Sequence, residues 1–186
     1  DDNGVSDVFR RDRQGSITLR VSQSSGGTLG DDASSFPDMS GSGALVVFQS
    51  EASNLVGSDS NAKSDVFLRL PSSNTTVRVS LTAADAQLDK DSQHPAISGD
   101  GSTIVFQTGS KFLDPSDPSN GGKIVARNRV TGASELASVA TNGDTADADS
   151  IFPAVSNDGR YVTFCSGATN LYVADSNDKY DLYRRD

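Results

Sequence analysis

Asp59-Ser-Asn-Ala-Lys-Ser-Asp-Val-Phe67 decides how this chain folds, because it is not unique. It stands also as Asp1-Asp-Asn-Gly-Val-Ser-Asp-Val-Phe9 and as Asp175-Ser-Asn-Asp-Lys-Tyr-Asp-Leu-Tyr183, with a degenerate copy, Asp117-Pro-Ser-Asn-Gly-Gly-Lys-Ile-Val125, between them. Each copy starts 58 residues after the last, so the 186 residues divide without a gap into repeats 1–58, 59–116 and 117–174 and a partial repeat 175–186. Fixed columns hold the register: Arg11/69/127, Ser22/80/138, Asp31/89/147, Ser34/92/150, Pro37/95/153, Gly43/101/159 and Phe48/106/164. A fixed period of this length is the mark of stacked supersecondary units.

Working outward from Phe67, the pattern is that of strands. Asp65–Leu70 reads as a strand and Pro71–Asn74 as a turn, while Thr75–Ser80 alternates polar and apolar residues as a half-buried strand does. After a polar loop, Leu81 to Gln93, Pro95–Ser98 reads as a short strand. Gly99-Asp-Gly101 is a turn needing positive φ at Gly101, and Ser102–Gln107 is another strand. Four short antiparallel strands per repeat give an all-β chain of β-propeller blades, counted as two, four, four and three strands.

The motif Pro-x-x-Ser-x-Asp-Gly, followed by a strand ending in Phe and then Asp-Val-Phe-x-Arg, resembles the blade of TolB-type (WD40-like) propellers. It is carried by Pro95–Gly101 with Phe106 and by Pro153–Gly159 with Phe164; the first copy has Ser42 where the others have Asp. The resemblance implies a propeller in a secreted or periplasmic bacterial setting and no single activity, because propellers host many. It also implies strand order a to d from the axis outward, with a at the repeated Pro and d at the Arg-Val-Ser segment. The long b–c loop (Glu51 to Ser64) and d–a loop (Gln23 to Ser35) then share one face and make it acidic. Ser-x-Asp-Gly is similar to the Asp-box of sialidases too, but this chain has no Trp.

Composition agrees and excludes. Twenty-five acids against 16 bases leave a charge of −9, and only Glu51 and Glu135 of those acids are not Asp, a turn residue. No Lys/Arg stripe suits phosphates, so a nucleic-acid partner is not expected. The longest apolar run, Ala44–Phe48, falls far short of the roughly 18 residues a membrane-crossing helix needs. The single Cys165 can form neither an internal disulfide nor a Cys-rich zinc site. Scarce Lys, abundant Asp and scarce Cys point to a secreted bacterial protein. The chain begins at Asp1 rather than Met, which points to a processed chain or a fragment.

Candidate sites lie in the loops. Asp1, Asn3, Asp7, then Asp59, Asn61, Asp65, then Asp175, Asn177, Asp181 place hard oxygen ligands at alternate positions, as Ca²⁺ requires. The EF-hand pattern fails, and the third copy has Ser119 and Lys123 instead. The alternative is a set of Asx turns bonding the loop backbone. The pairs Asp31/Ser34, Asp89/Ser92 and Asp147/Ser150, with Asp91 and Asp149, read as inter-blade hydrogen bonding. His94 replaces Phe36 and Phe152 of the other copies and reads as a core aromatic. Cys165 reads as a small buried thiol, and the Arg column as an ion pair with repeated Asp.

The expected function is a non-enzymatic extracellular propeller module for binding or assembly, meeting a protein or glycan partner on the acidic face. The alternatives are a propeller glycoside hydrolase or lyase, for which Asp38 alone breaks the repeat at strand a, and an accessory domain of a secreted enzyme. Three copies cannot close a ring, so the chain is expected to belong to a larger propeller or to complete one as a homo-oligomer of two copies and about six blades.

Overall fold

A computed structural model describes residues 3–186 apart from Pro118, Asn120, Ala174, Ser176 and Asp178. Asp1, one of the expected calcium ligands, lies outside the described residues. The described chain is all-β and meanders through four antiparallel sheets. β1 (Phe9–Asp12) pairs with β2 (Ile17–Arg20). β3 (Ser34–Met39), β4 (Val46–Ser50), β5 (Asp65–Leu70) and β6 (Thr75–Arg78) form the second sheet in chain order. β7 (Ser92–Ile97), β8 (Thr103–Thr108), β9 (Lys123–Asn128) and β10 (Ser134–Leu136) form the third. β11 (Ser150–Val155), β12 (Val162–Ser166) and β13 (Asp181–Arg185) form the last. The expected division into two, four, four and three strands is the one observed.

The first strand of each full sheet begins earlier than its Pro. Ser92 already pairs with Thr108, and the register slips between Gln93 and Ala96; the same slip falls between Ser35 and Asp38 and between Ile151 and Ala154. A bulge frees one position from the ladder, and Pro95 tolerates it because it has no N–H to leave unpaired. Turn chemistry follows the sequence: Gly43, Gly101 and Gly159 have φ of 68°, 74° and 75°.

The core lies between sheets. Val8, Val21, Val46, Phe48, Leu55 and Phe67 join the first sheet to the second. Val66, Val79, Ile104, Phe106 and Val125 join the second to the third, and Ile124, Ala137, Val162 and Phe164 the third to the fourth. The rule is the same each time: Val8, Val66 and Ile124, one repeat apart, share a cluster with residues of the next sheet's second strand, Val46 and Phe48, Ile104 and Phe106, and Val162 and Phe164. Burying the Val, Leu, Ile and Phe side chains contributes about 1.5–3 kcal/mol each, which is why a period set by Phe and Val columns becomes a stack of blades.

Candidate binding face and the repeated carboxylates

The calcium-like triads are built into hydrogen-bond networks. In the second copy Asp65 is fully buried; Ser80 Oγ donates to it at 2.5 Å and Gln87 Nε2 at 2.9 Å. Arg78 bridges it to Asp59, with NH2 3.1 Å from Asp59 and Nε 3.4 Å from Asp65. Burial raises the Asp65 pKa, and the bonds from Ser80 and Gln87 and the charge of Arg78 only partly offset it. In the first copy Ser22 Oγ donates to Asp7 at 2.5 Å and Arg20 lies 3.3 Å away. In the third copy Lys123 replaces the second Asp. Its Nζ donates to Ser119 Oγ at 2.5 Å and sits 3.3 Å from Asp117.

Asn61 Oδ1 accepts from Lys63 N at 2.9 Å, and Asn177 Oδ1 from Lys179 N at 2.7 Å, which are Asx turns. A divalent cation does not fit the second and third copies as they stand, because a guanidinium or an ammonium already fills the space between the oxygens. The fourth copy differs. Asp175 accepts from Tyr183 Oη at 3.4 Å and Asp181 from Asn177 Nδ2 at 3.4 Å, and among the described residues no Lys or Arg pairs with either. The Tyr183 hydroxyl pKa is raised by burial and by Asp175, Asp181 and Asp147 around it. Among the described residues no cluster of three or more His, Cys, Asp or Glu is arranged to hold a metal.

The Asp columns of the d–a loops act mostly inside one blade. Asp31 accepts from Ser53 N and Oγ, both at 2.7 Å, and Asp147 from Thr169 N and Oγ1, both at 2.9 Å. Ser34 and Ser150 bond Ser50 and Ser166 of the neighbouring strand at 2.9 and 3.0 Å. The blade-to-blade links come from Asp91 and Asp149, which accept from Ser64 N at 3.0 Å and Gly122 N at 2.6 Å. Among the described residues no Arg of this column ion-pairs with a repeated Asp. Arg69 donates to Ser24 O at 3.2 Å and to Thr76 Oγ1 at 2.9 Å, and Arg127 to Leu81 O at 3.2 Å. The reason is that each d–a loop opens with a small hairpin, closed by bridges such as Gln23–Leu29, that offers its carbonyls to the next blade. Arg127 adds a carboxylate, Asp85, at 3.3 Å.

Exposed Asp31, Asp32, Glu51 and Asp91, with one base, Lys63, among them, surround a groove of about 410 Å³ between the second and third sheets on the long-loop face. Next to it runs a feature that sequence reasoning missed. Phe36, His94 and Phe152 occupy the bulge of successive first strands, all with φ near +50° (50°, 50° and 53°). Their rings meet edge-on at 4.6 and 4.8 Å. They form a column along the strand-a edge rather than a core: Phe36 is 51% exposed and Phe152 59%, with His94 half-buried between them. The signal available in sequence was the aromatic before each Pro, at a spacing of 58. Cys165 is only partly buried.

Asp38 is held by main-chain donors, Met39 N on Oδ1 and Ile97 N on Oδ2, both at 2.9 Å. It acts as a strap between two first strands.

This arrangement defines a TolB-like β-propeller fold, and solved structures agree. The chain is similar to TolB from Acinetobacter baumannii (TM-score 0.53, 13% identity), covering 97% of this chain and 35% of that one. It is similar also to a putative TolB from Agrobacterium tumefaciens (TM-score 0.52, 16% identity, 97% of this chain and 57% of that one). A prolyl endopeptidase aligns with a TM-score of 0.56 at 12% identity over 96% of this chain and 24% of that one. The chain thus spans from about a quarter to just over half of these structures. No protein-family profile and no curated protein matches the sequence.

Proposed function

We propose that the chain is a non-enzymatic, secreted or periplasmic propeller module that binds a protein or glycan partner on its acidic long-loop face. One observation carries this reading: the repeated carboxylates are bonded within the scaffold, whereas Asp32 and Glu51, which do not recur in the other repeats, stand exposed at the rim of a groove. Periodic, internally bonded Asp residues are a scaffold, and a face on which acids outnumber bases steers a cationic or hydroxyl-rich partner. The hydrolase alternative rests on Asp38, whose two oxygens are bonded to backbone N–H groups. Calcium is proposed for the fourth copy, Asp175, Asn177 and Asp181; a melting curve with and without chelator tests it.

The function is tested by glycan-array and cationic-peptide binding, with polysaccharide and sialoside hydrolysis assayed beside it. Binding that weakens with salt and is lost in Asp32→Asn/Glu51→Gln, at unchanged melting temperature, supports it. Turnover abolished by Asp38→Ala overturns it.

A further inference from the structure

Two grooves lie side by side on the long-loop face, and they are the same place in successive repeats. The first, of about 410 Å³, has Asp32, Glu51, Ser53 and Ser64 in its wall. The second, of about 540 Å³, has Lys90, Gly109, Lys111 and Gly122 there, each 58 residues on. Asp91 and Gln93 line both, so the grooves meet. The scaffold is periodic here and the chemistry is not: Asp32 is answered by a base, Glu51 by a Gly and Ser53 by a second base. Groups that hold blades together repeat, and these do not. Asp32, Glu51 and Lys90 are also exposed.

Their charges are largely unspent. Asp32 accepts from Ala33 N at 2.7 Å and Asp91 from Ser64 N at 3.0 Å, each on one oxygen, Oδ1. Among the described residues no hydrogen bond or ion pair engages the side chains of Glu51, Lys63 and Lys90. Lys111 is held, its Nζ donating to Asp117 O at 2.6 Å. A second observation is independent of charge. Ser64 is 4% exposed, and its Oγ has no hydrogen-bond partner among the described residues. A buried hydroxyl without a partner is rare in a folded chain, and this one belongs to the wall of the acidic groove. The Ser64 backbone is used on both sides, N on Asp91 and O by Ser92 N at 2.7 Å, so only the side chain is left over.

We propose that the two grooves bind one extended, mixed-charge segment of a protein partner. An Arg or Lys of the segment enters the acidic groove and meets Asp32, Glu51, Asp91 and the Ser64 hydroxyl. An Asp or Glu of the same segment meets Lys90 in the adjoining groove. This rests on the binding role proposed for the long-loop face and names its partner as a protein rather than a glycan. A guanidinium has five donors and no acceptor, which suits carboxylates and one spare hydroxyl oxygen. A neutral sugar leaves those carboxylates and Lys90 without countercharge. Lys63, the one base in the wall of the acidic groove, opposes the incoming cation.

The test is a titration of the isotope-labelled full chain, followed by its amide NMR shifts, with short capped Gly/Ser peptides. One peptide carries a single Arg, one a single Asp, one two Arg, and a set carries Arg and Asp at increasing separation; a neutral oligosaccharide is titrated beside them. At one separation the mixed peptide should bind about two- to fivefold more tightly than the Arg peptide, the increment of an exposed ion pair. It should shift amides of both grooves and weaken with salt. Lys90→Glu should cancel that increment and transfer it to the peptide with two Arg, and Lys63→Gln should tighten every Arg peptide. Ser64→Ala should weaken the Arg peptides about two- to tenfold without lowering the melting temperature, since the folded chain loses no bond. If the Arg peptide binds but Asp adds nothing at any separation and Lys90→Glu changes nothing, the mixed-charge proposal is overturned while the binding role of the face stands. Shifts of the same amides by the oligosaccharide, with none from any peptide, overturn it in favour of a glycan. No binding by any probe overturns both.

Discussion

The Arg78 Nε lies 3.4 Å from an Asp65 carboxylate oxygen, and neither side chain is open to solvent (4% and 0% exposed). The contact is an ion pair rather than an aligned hydrogen bond, and the same guanidinium also holds Asp59 at 3.1 Å. Removing the Arg leaves two buried carboxylates facing each other. Arg78→Ala is expected to cost about 3–5 kcal/mol, read as a melting temperature lower by roughly 10 °C or more. Arg78→Lys should recover only part of this, because a single ammonium lacks the fork that spans both partners.

The acid limb of stability has two opposing sources. Asp31, Asp100 and Asp158 have lowered pKa values, each first because of a Ser hydroxyl: Ser53, Ser98 and Ser156. Their contribution is present above the ordinary carboxylate pKa and is lost as pH falls through the lowered values. Asp65 runs the other way. Its pKa is raised by burial, so the folded state binds its proton first, and its contribution is lost as pH rises from the ordinary value through the raised one. Urea melts of the wild type and Asp65→Asn from about pH 4 to pH 7 check the sign. The penalty of the substitution should shrink as pH rises; a penalty that grows would mean that Arg78 outweighs desolvation.

The Ser-x-Asp-Gly turns offer a gain of stability. Asp100 accepts from Ser98 Oγ at 2.5 Å and Ser102 N at 2.8 Å, and Asp158 repeats the pattern with Ser156 and Arg160. The first copy has Ser42 there, whose hydroxyl makes two longer contacts, 3.3 Å to Ser40 Oγ and 3.3 Å to Ala44 N. Ser42→Asp should therefore stabilise the chain by about 1 kcal/mol, as a good local cap does, raising the melting temperature by roughly 2–4 °C. A calorimetric scan at neutral pH measures it, and the gain should vanish at low pH as the new carboxyl protonates.

Strand count and blade order were legible because they rest on columns that repeat three times, and a column of Phe or Val has one way to be buried again and again. The roles of polar residues were less legible. That Asp65 and Asp59 share one Arg depends on Arg78, thirteen residues along and across a turn, and the third copy has Leu136 at that position. The Arg69 column looked like ion pairs because the carbonyls it binds, such as Ser24 O, have no signature in a sequence. The aromatic column was missed because the bulge that turns Phe36, His94 and Phe152 out of the core requires positive φ at residues whose types do not announce it.

That column yields the sharpest substitution test. His94 holds φ near +50° between two rings, a conformation that Phe36 and Phe152 hold in the same bulge. His94→Phe keeps both edge contacts and gives up only the Nδ1 contact to Gln107 Oε1 at 3.2 Å, so its melting temperature should stay within about 2 °C of wild type. His94→Val loses the rings and places a β-branched residue in the left-handed region. The strain costs about 1–2 kcal/mol and each lost aromatic contact about 0.5–1.5 kcal/mol, so a drop of roughly 5–10 °C is expected. Equal melting temperatures for the two variants would show that the column carries no stability. The rings would then lie along the strand-a edge without holding one blade to the next.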